Sequence, residues 1–410
     1  MLYVVSRKCP KGKEMSLDQL LSGKECNSAH RERNYPGTVT RCCDAMPSGL
    51  YTAEDIQRFI SNLENIIPLI RYTPREYREF TIPKRSGGRR KICAPCGDLD
   101  NAQIIFREYL ESGPGALYHT AAFAYCKERS TLLCMKRHQA NKSNWFLKID
   151  FSDFFGNTNK DFVISKLSQI VPYNMILSHP KGREMFLEAL DICFKDGGLP
   201  QGTTTSPMLT NLAMIPFDHE LSKRLHKQGF VYTRYADDMQ ISHQKKFDPE
   251  KVQEIIKSVL SDLDMPFHIK DEKTRFGSCA GRNWNLGLML NKDNKITIGH
   301  KTHKLMKARV HAFLMDEKNK RPWSKHDVEI LAGQIAYMKS IEPQTVQYIT
   351  THLSHKVGLQ FDKIISKRLK MENTHNNLNV FTPRRSSGNV IRNANDFDTV
   401  PDFDAFVPFF

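Results

Sequence analysis

Two adjacent aspartates, Asp237 and Asp238, lie in Tyr235-Ala236-Asp237-Asp238, between short runs of strand-forming residues over positions 232–242. That pattern predicts two short strands with the carboxylates at the tight turn between them. Like charges held side by side repel, so a fold that keeps them together invites a cation. On the pair alone, a solvated Asp-Asp turn is the plainer reading. Asp150 adds a third carboxylate at the end of Trp145–Asp150, which reads as a buried strand. It lies far enough upstream for an intervening helix and hairpin to return the chain to a neighbouring strand. Three carboxylates so placed can hold two Mg²⁺ ions roughly 3.5–4 Å apart, one helping to generate a 3′ alkoxide and the other stabilising a leaving pyrophosphate. The chemistry would be phosphoryl transfer by positioning and electrostatics. Magnesium takes oxygen ligands, so no His or Cys ligand is required.

Several elements must position these groups. Thr52 and Asp55 resemble a helix start, and Ile56, Phe59, Ile60, Leu63 and Ile67 recur at the spacing of an amphipathic helix. Residues 78–95 read as a β-hairpin turning at Gly87-Gly88, with Lys84, Arg85, Arg89, Arg90 and Lys91 crowding the turn; a basic hairpin is suited to gripping phosphates. The pattern predicts helices over residues 162–170, 335–353 and 357–369, and the packed body should end near residue 370. Residues 1–50 read as an N-terminal extension without clear periodicity. Inspection finds no internal repeat, which argues against solenoids and propellers.

Composition narrows the partners. Among 410 residues, 60 Lys and Arg stand against 45 Asp and Glu, a net charge of +15, which is the footprint of a protein that binds polyphosphate. Hydrophobic residues at 40% are enough to bury a core. Ten cysteines without a secretory leader fit a reducing cytoplasm, and no apolar run is long enough to span a bilayer. Cys93-Ala-Pro-Cys96 is a lone C-x-x-C and reads as incidental thiols, as do Cys9, Cys26, Cys42 and Cys43. His138 and Trp145 read as core or groove-wall residues, since neither has a partner at metal spacing.

Taken in order, four segments resemble the reverse transcriptases over about residues 52–360. Ile82-Pro83-Lys84-Arg85-Ser86-Gly87-Gly88-Arg89-Arg90-Lys91-Ile92 looks like the family's basic fingers hairpin, and Lys148-Ile149-Asp150-Phe151-Ser152-Asp153-Phe154-Phe155 like its first palm motif. Gly198-Leu199-Pro200-Gln201-Gly202 with Ser206-Pro207 looks like the PQG segment, and Tyr235-Ala236-Asp237-Asp238 like the YxDD box. The resemblance implies an α+β right-hand polymerase with an antiparallel-sheet palm and a helical thumb. Its domains would be an extension at 1–50, fingers at 51–145, palm with interleaved fingers elements at 146–290, thumb at 291–370, and a polar linker and tail at 371–410.

The resemblance also assigns roles. Asp150, Asp237 and Asp238 would be the catalytic metal ligands for two Mg²⁺ ions, with Mn²⁺ as a substitute. Lys84 and Arg90 would contact the incoming triphosphate, Asp153 would lie near its sugar and phosphates, and Gln201 would touch the nucleotide and template strand. Phe155 would gate against the ribose 2′-hydroxyl, selecting dNTPs, and Lys273 would protonate pyrophosphate. Leu286-Gly287-Leu288 resembles the primer grip, and Gly333 and Tyr337 a thumb segment against the primer–template duplex.

Ala236 in the box and the form of the hairpin resemble bacterial retron-type enzymes. The Asn-Ala-x-x-His and Val-Thr-Gly segments of retrons are missing, with only Ala140-Asn141-Lys142 and Asn285-Leu286-Gly287 near those places. Little chain follows residue 370 to form an appended nuclease, and Pro200 sets the chain apart from variable-repeat mutagenic enzymes. The stand-alone type 2 defence-associated reverse transcriptases resemble it most. That implies a cytoplasmic antiphage enzyme that copies a structured non-coding RNA, both template and bound partner, into cDNA. Alternatives are a retron or group II-like enzyme with another role, an RNA-templated RNA polymerase, and a non-catalytic RNA-binding scaffold. The tail from Asp396 to Phe410 holds four Asp, five Phe and no Lys or Arg, and reads either as a disordered end or as a segment that folds onto a basic groove or mediates self-association.

Overall fold

The computed structural model describes residues 53–84, 87–112, 118–281 and 286–370, together with the backbone of two strands, β1 (Leu2–Val5) and β2 (Val39–Cys42). The expectations for the tail, and for Arg85 and the remainder of residues 1–50, lie outside the described residues. Packing divides the chain into two units, Met1–Asn283 and Trp284–Phe410.

In the first unit, α1 (Ala53–Arg71) buries Phe59, Ile60, Leu63 and Ile67 of the apolar stripe its spacing predicts, and Ile70 one turn beyond it. Strands β3 (Tyr77–Pro83) and β4 (Arg89–Pro95) then pair antiparallel, with Ile82 opposite Arg90. Gly87 and Gly88 supply the turn at φ of 85° and 81°, a region open to glycine because it lacks a Cβ. Helix α2 (Gly97–Ser112) packs on α1, and Tyr109 stacks on Phe59 with ring centroids 4.4 Å apart. Cys93 and Cys96 remain free thiols.

Helix α3 (Thr131–Ala140), capped by Ser130, leads into β5 (Trp145–Asp150), whose Phe146, Leu147 and Ile149 are buried. A longer path than one helix and a hairpin returns the chain to the sheet. It runs through α4 (Lys160–Leu167), β6 (Ile170–Val171), α5 (Tyr173–Ser178), α6 (Pro180–Asp191), α7 (Ser206–Ala213) and α8 (Ile215–His226). Asn159 caps α4 by accepting from Phe162 N at 2.8 Å, which starts the helix earlier than the sequence pattern placed it. The β-branched Ile170-Val171 is not helical: it pairs parallel with β1, which pairs antiparallel with β2. Strands β7 (Val231–Tyr235) and β8 (Asp238–His243) form a hairpin, α9 (Pro249–Asp262) follows, and a 3₁₀ turn at Asp271–Lys273 precedes β9 (Arg275–Ser278). The resulting sheet has the order β7-β8-β5-β9, antiparallel throughout.

The second unit pairs β10 (Met289–Leu290) with β11 (Ile296–Thr297) and adds α10 (His300–Lys318), α11 (Lys325–Ile341), α12 (Pro343–Val357) and α13 (Phe361–Lys370). Phe313 centres its core, edge-on to Trp323 at 5.5 Å and to Phe361 at 5.7 Å. The single helix expected over 335–353 is broken at Glu342, because Pro343 lacks an N–H and disfavours helical backbone in the residue before it. Gly358, left-handed at φ 78°, ends α12, so the helix expected from Val357 begins at Phe361.

Among the described residues no helix is long and apolar enough to cross a membrane. Two loops of the first unit touch at backbone distance: Leu199 N donates to Phe155 O at 3.0 Å, and a Cβ on Gly198 would meet the Gly156 carbonyl oxygen at 2.4 Å. Neither backbone can yield like a side chain, so Gly198→Ala should destabilise by about 1–3 kcal/mol. Gly277→Ala, where nothing lies within 4 Å, should be near neutral. Thermal denaturation of both variants checks this, and equal melting temperatures would refute the close contact.

Candidate active site

Antiparallel pairing of β5 and β8 sets Asp150 directly opposite Asp238. Tyr235 pairs with Asp238 across the hairpin, leaving Ala236 and Asp237 as a two-residue loop, and the Asp237 carbonyl accepts from Phe151 N at 3.4 Å. The adjacency inferred for the three carboxylates is thus a matter of register. Below them, Phe151 and Phe154 pack on Phe267 at 5.2 and 5.0 Å between ring centroids, anchoring the loop after β5.

The electrostatics are those of crowded like charges. Burial, then the charges of Asp238 and Asp150, push the Asp237 carboxyl up from 3.8 to about 6. Asp238 is also raised, by burial first, with Asp150 adding to it and Lys148 opposing it. Two ammonium groups answer this charge. Lys273 Nζ bonds Asp150 Oδ2 at 2.9 Å, and although burial works against the cation, that bond and the nearby aspartates leave its pKa raised. The segment before Lys273 is zipped to the end of β5, with Ser152 N donating to His268 O at 2.9 Å and Lys270 N to Asp150 O at 2.8 Å. Lys148 Nζ pairs with Asp238 Oδ1 at 3.1 Å, and that buried oxygen has no other donor.

Among the described residues no three His, Cys, Asp or Glu side chains close on one point as a metal cage does. The lysines stand against the carboxylates instead. The donors nevertheless fit a hard divalent cation: all are carboxylate oxygens, one carboxyl is raised by burial and then by its neighbours' charge, and one buried oxygen faces only a lysine ammonium.

The other expected residues fall into groups. Phe155, half-buried and edge-on to Phe154 at 5.6 Å, sits in the loop joined to Leu199. Asp153, exposed, has left-handed backbone at φ 41°. Gln201 is half-buried, and its carbonyl accepts from Cys93 N at 2.7 Å, tying this loop to β4. Lys84 and Arg90 are exposed on the β3–β4 hairpin, where Lys84 N donates to Gly88 O at 2.9 Å. Gly287, left-handed at φ 78°, belongs to the second unit with Gly333 and Tyr337, which lie one turn apart on α11, the glycine exposed with open space where a Cβ would stand.

Residues 82–348 match the family model for Reverse transcriptase (RNA-dependent DNA polymerase), more than half of the chain. The chain belongs to the reverse transcriptase family. Its fold class is the right-hand polymerase, and it is an RNA-directed DNA polymerase. The retron Ec73 reverse transcriptase of Escherichia coli is 28% identical over 280 residues, covering 66% of this chain and 85% of that protein. The retron Mx162 reverse transcriptase of Myxococcus xanthus is 26% identical over 303 residues, covering 66% of this chain and 59% of that one. Apo telomerase from Candida tropicalis aligns with a TM-score of 0.43 at 12% identity, over 78% of this chain and 67% of that one. Reverse transcriptases work with divalent metal ions.

Sequence reasoning passed over Lys148 except as a letter in a motif. It stands two positions before Asp150 on the same strand and hence on the same face. That alternation was the available signal.

Asp237 gives the polymerase a pH signature. Over the window from about 4 to 6 the folded, metal-free protein keeps a proton that the unfolded chain has lost, so Asp237 lowers stability as pH rises through it, and the full cost remains above it. In chelator at pH 7.5, Asp237→Asn should therefore melt above wild type, with the difference shrinking toward pH 4. Equal melting at pH 7.5 would contradict the crowded-charge picture.

Proposed function

We propose that this reverse transcriptase copies a structured non-coding RNA into cDNA by two-metal nucleotidyl transfer, with Asp150, Asp237 and Asp238 holding the ions. The register of Asp150 against Asp238, with Asp237 in the adjoining loop, carries this reading. Two Mg²⁺ ions, or Mn²⁺ in their place, would activate the primer 3′-hydroxyl and neutralise the leaving pyrophosphate. The chain's own groups do the rest. Lys148 and Lys273 hold the carboxylates' charge in check before ions arrive, and Lys273, freed from Asp150, is within the site to give pyrophosphate a proton. Lys84 and Arg90 offer the exposed cations of a hairpin tip to the triphosphate. Phe155 presents an apolar ring where a ribose 2′-hydroxyl would need a hydrogen-bonding partner, which favours dNTPs. Asp153 and Gln201 flank the nucleotide, while Gly287, Gly333 and Tyr337 serve the primer–template duplex.

The experiment is to purify the protein with its native RNA, supply Mg²⁺ and either dNTPs or rNTPs, and sequence any product. Asp237→Asn and Asp238→Asn should each cut incorporation by on the order of 10³-fold. Wild-type rates in those variants would sink the metal-site assignment, and a preference for rNTPs would sink the role of Phe155.

The biological reading is antiphage defence by an enzyme of the type 2 defence-associated kind. It is supported by the PQG proline Pro200 and by the missing Asn-Ala-x-x-His and Val-Thr-Gly segments. A second reading, a retron-like role, is favoured by the 28% identity to the Ec73 enzyme over 85% of its length. Cells carrying the wild-type gene should plate at least one phage less efficiently than cells carrying Asp150→Ala. Equal plating across a broad panel would remove the defence role and leave the polymerase untouched.

A further inference from the structure

Arg234, in β7, is wholly buried, an unusual place for the most strongly basic side chain. Its guanidinium is fully engaged. Nε donates to Asp218 Oδ1 at 2.9 Å and Nη2 to Asp218 Oδ2 at 2.7 Å, a two-pronged pair with an equally buried carboxylate on α8. Nη1 donates to Asn211 Oδ1, on α7, at 3.1 Å and to the carbonyl of Ala236 at 3.1 Å. Tyr232 Oη steadies Asp218 from the other side at 2.8 Å, and Asn211 Nδ2 is fixed to Ala124 O at 2.8 Å. The backbone is held as well: Arg234 N donates to Ala121 O at 2.7 Å and Phe123 N to Arg234 O at 2.8 Å.

The Ala236 carbonyl sits in the two-residue loop of the β7–β8 hairpin. Ala236 has φ 56°, a left-handed conformation that costs a residue with a Cβ about 1–2 kcal/mol and that glycine adopts freely. The ladder ends at the pair Tyr235 with Asp238, and a two-residue loop there calls for positive φ at Ala236. Phe151 N holds the Asp237 carbonyl at 3.4 Å, and the side-chain bond from Arg234 holds the Ala236 carbonyl one residue before it.

A buried ion pair is weak evidence for stability alone, since apolar replacements of matching volume are often neutral or better. Its geometry here points to alignment. We infer that Arg234 is a positioning residue for DNA synthesis: anchored by Asp218 and Asn211, it holds Ala236 left-handed through its carbonyl and so presents Asp237 and Asp238 opposite Asp150. The inference rests on the assignment of those aspartates as the metal-holding groups. A misplacement of about 1 Å at such a site can cost on the order of 10²-fold in rate.

The test replaces the pair and then relaxes the loop. Arg234→Met combined with Asp218→Leu should fold and bind RNA as wild type does, with kcat for dNTP addition lower by about 10²-fold and KM for dNTP nearly unchanged. Adding Ala236→Gly to that double variant should restore kcat by about tenfold, because glycine needs no help to be left-handed; a merely structural ion pair would not respond to it. Should the double variant fail to fold, Arg234→Lys keeps the charge opposite Asp218 but cannot span both Asp218 and the carbonyl, and it should show the same loss in kcat while remaining folded at the assay temperature, at a lowered melting temperature. Wild-type kcat in a folded variant, or no recovery with Ala236→Gly, would overturn the inference. Asp237→Asn run alongside separates the two failures: if it is active the metal assignment is wrong, and if it is inactive while the Arg234 variants copy normally only the role of Arg234 is wrong.

Discussion

The repulsion among three carboxylates, Asp150 and Asp238 on neighbouring strands and Asp237 in the adjoining loop, is the constraint that the candidate site is built around. Antiparallel register brings Asp150 and Asp238 face to face and cannot be relaxed by a small shift, because a slip of one residue would turn every side chain of the strand to the other face. Charge must therefore be answered where it stands. In the protein alone Lys148 and Lys273 answer it, the first from β5 itself and the second from a turn fastened to it. The candidate site is thus a set of anions whose cationic partners are movable side chains on a fixed frame.

The frame itself is unusually polar inside. Arg234 and Asp218 are buried against each other beneath the hairpin, and on the α3 side His138 bonds Ser242 at 2.6 Å and Thr233 at 2.8 Å. Burial lowers the His138 pKa to about 3, so the ring is neutral and its two nitrogens divide donor and acceptor roles between the hydroxyls. Apolar contacts tolerate small rotations of a strand, whereas these bonds do not. Both networks converge on β7 and β8, the strands that carry the Asp pair.

Much of this could be read from the chain itself. Strand β5 was legible to the residue because its apolar run ends sharply at Asp150, and α1 because Phe59, Ile60, Leu63 and Ile67 keep a helical period. The helix ends were not. Asn159, Pro343 and Gly358 decide them by capping, by a missing N–H and by left-handed backbone, local effects that an apolar period does not register. The family motifs brought Asp150, Asp237 and Asp238 onto one page, but the partners that hold them escaped. Lys148 was read only as part of a motif and Arg234 was not singled out, because their meaning depends on what register and two distant helices set beside them.

The backbone bond between Cys93 and Gln201 has a mechanical side. It joins the foot of the basic hairpin to the loop of the PQG segment without any side chain taking part, so no substitution short of proline at position 93 can remove it. Hairpin and loop are thus coupled through backbone alone. The loop in turn is joined to Phe155 through the bond from Leu199 N to its carbonyl. A displacement of any one of the three segments would in this way be shared with the other two rather than absorbed by the most pliable of them.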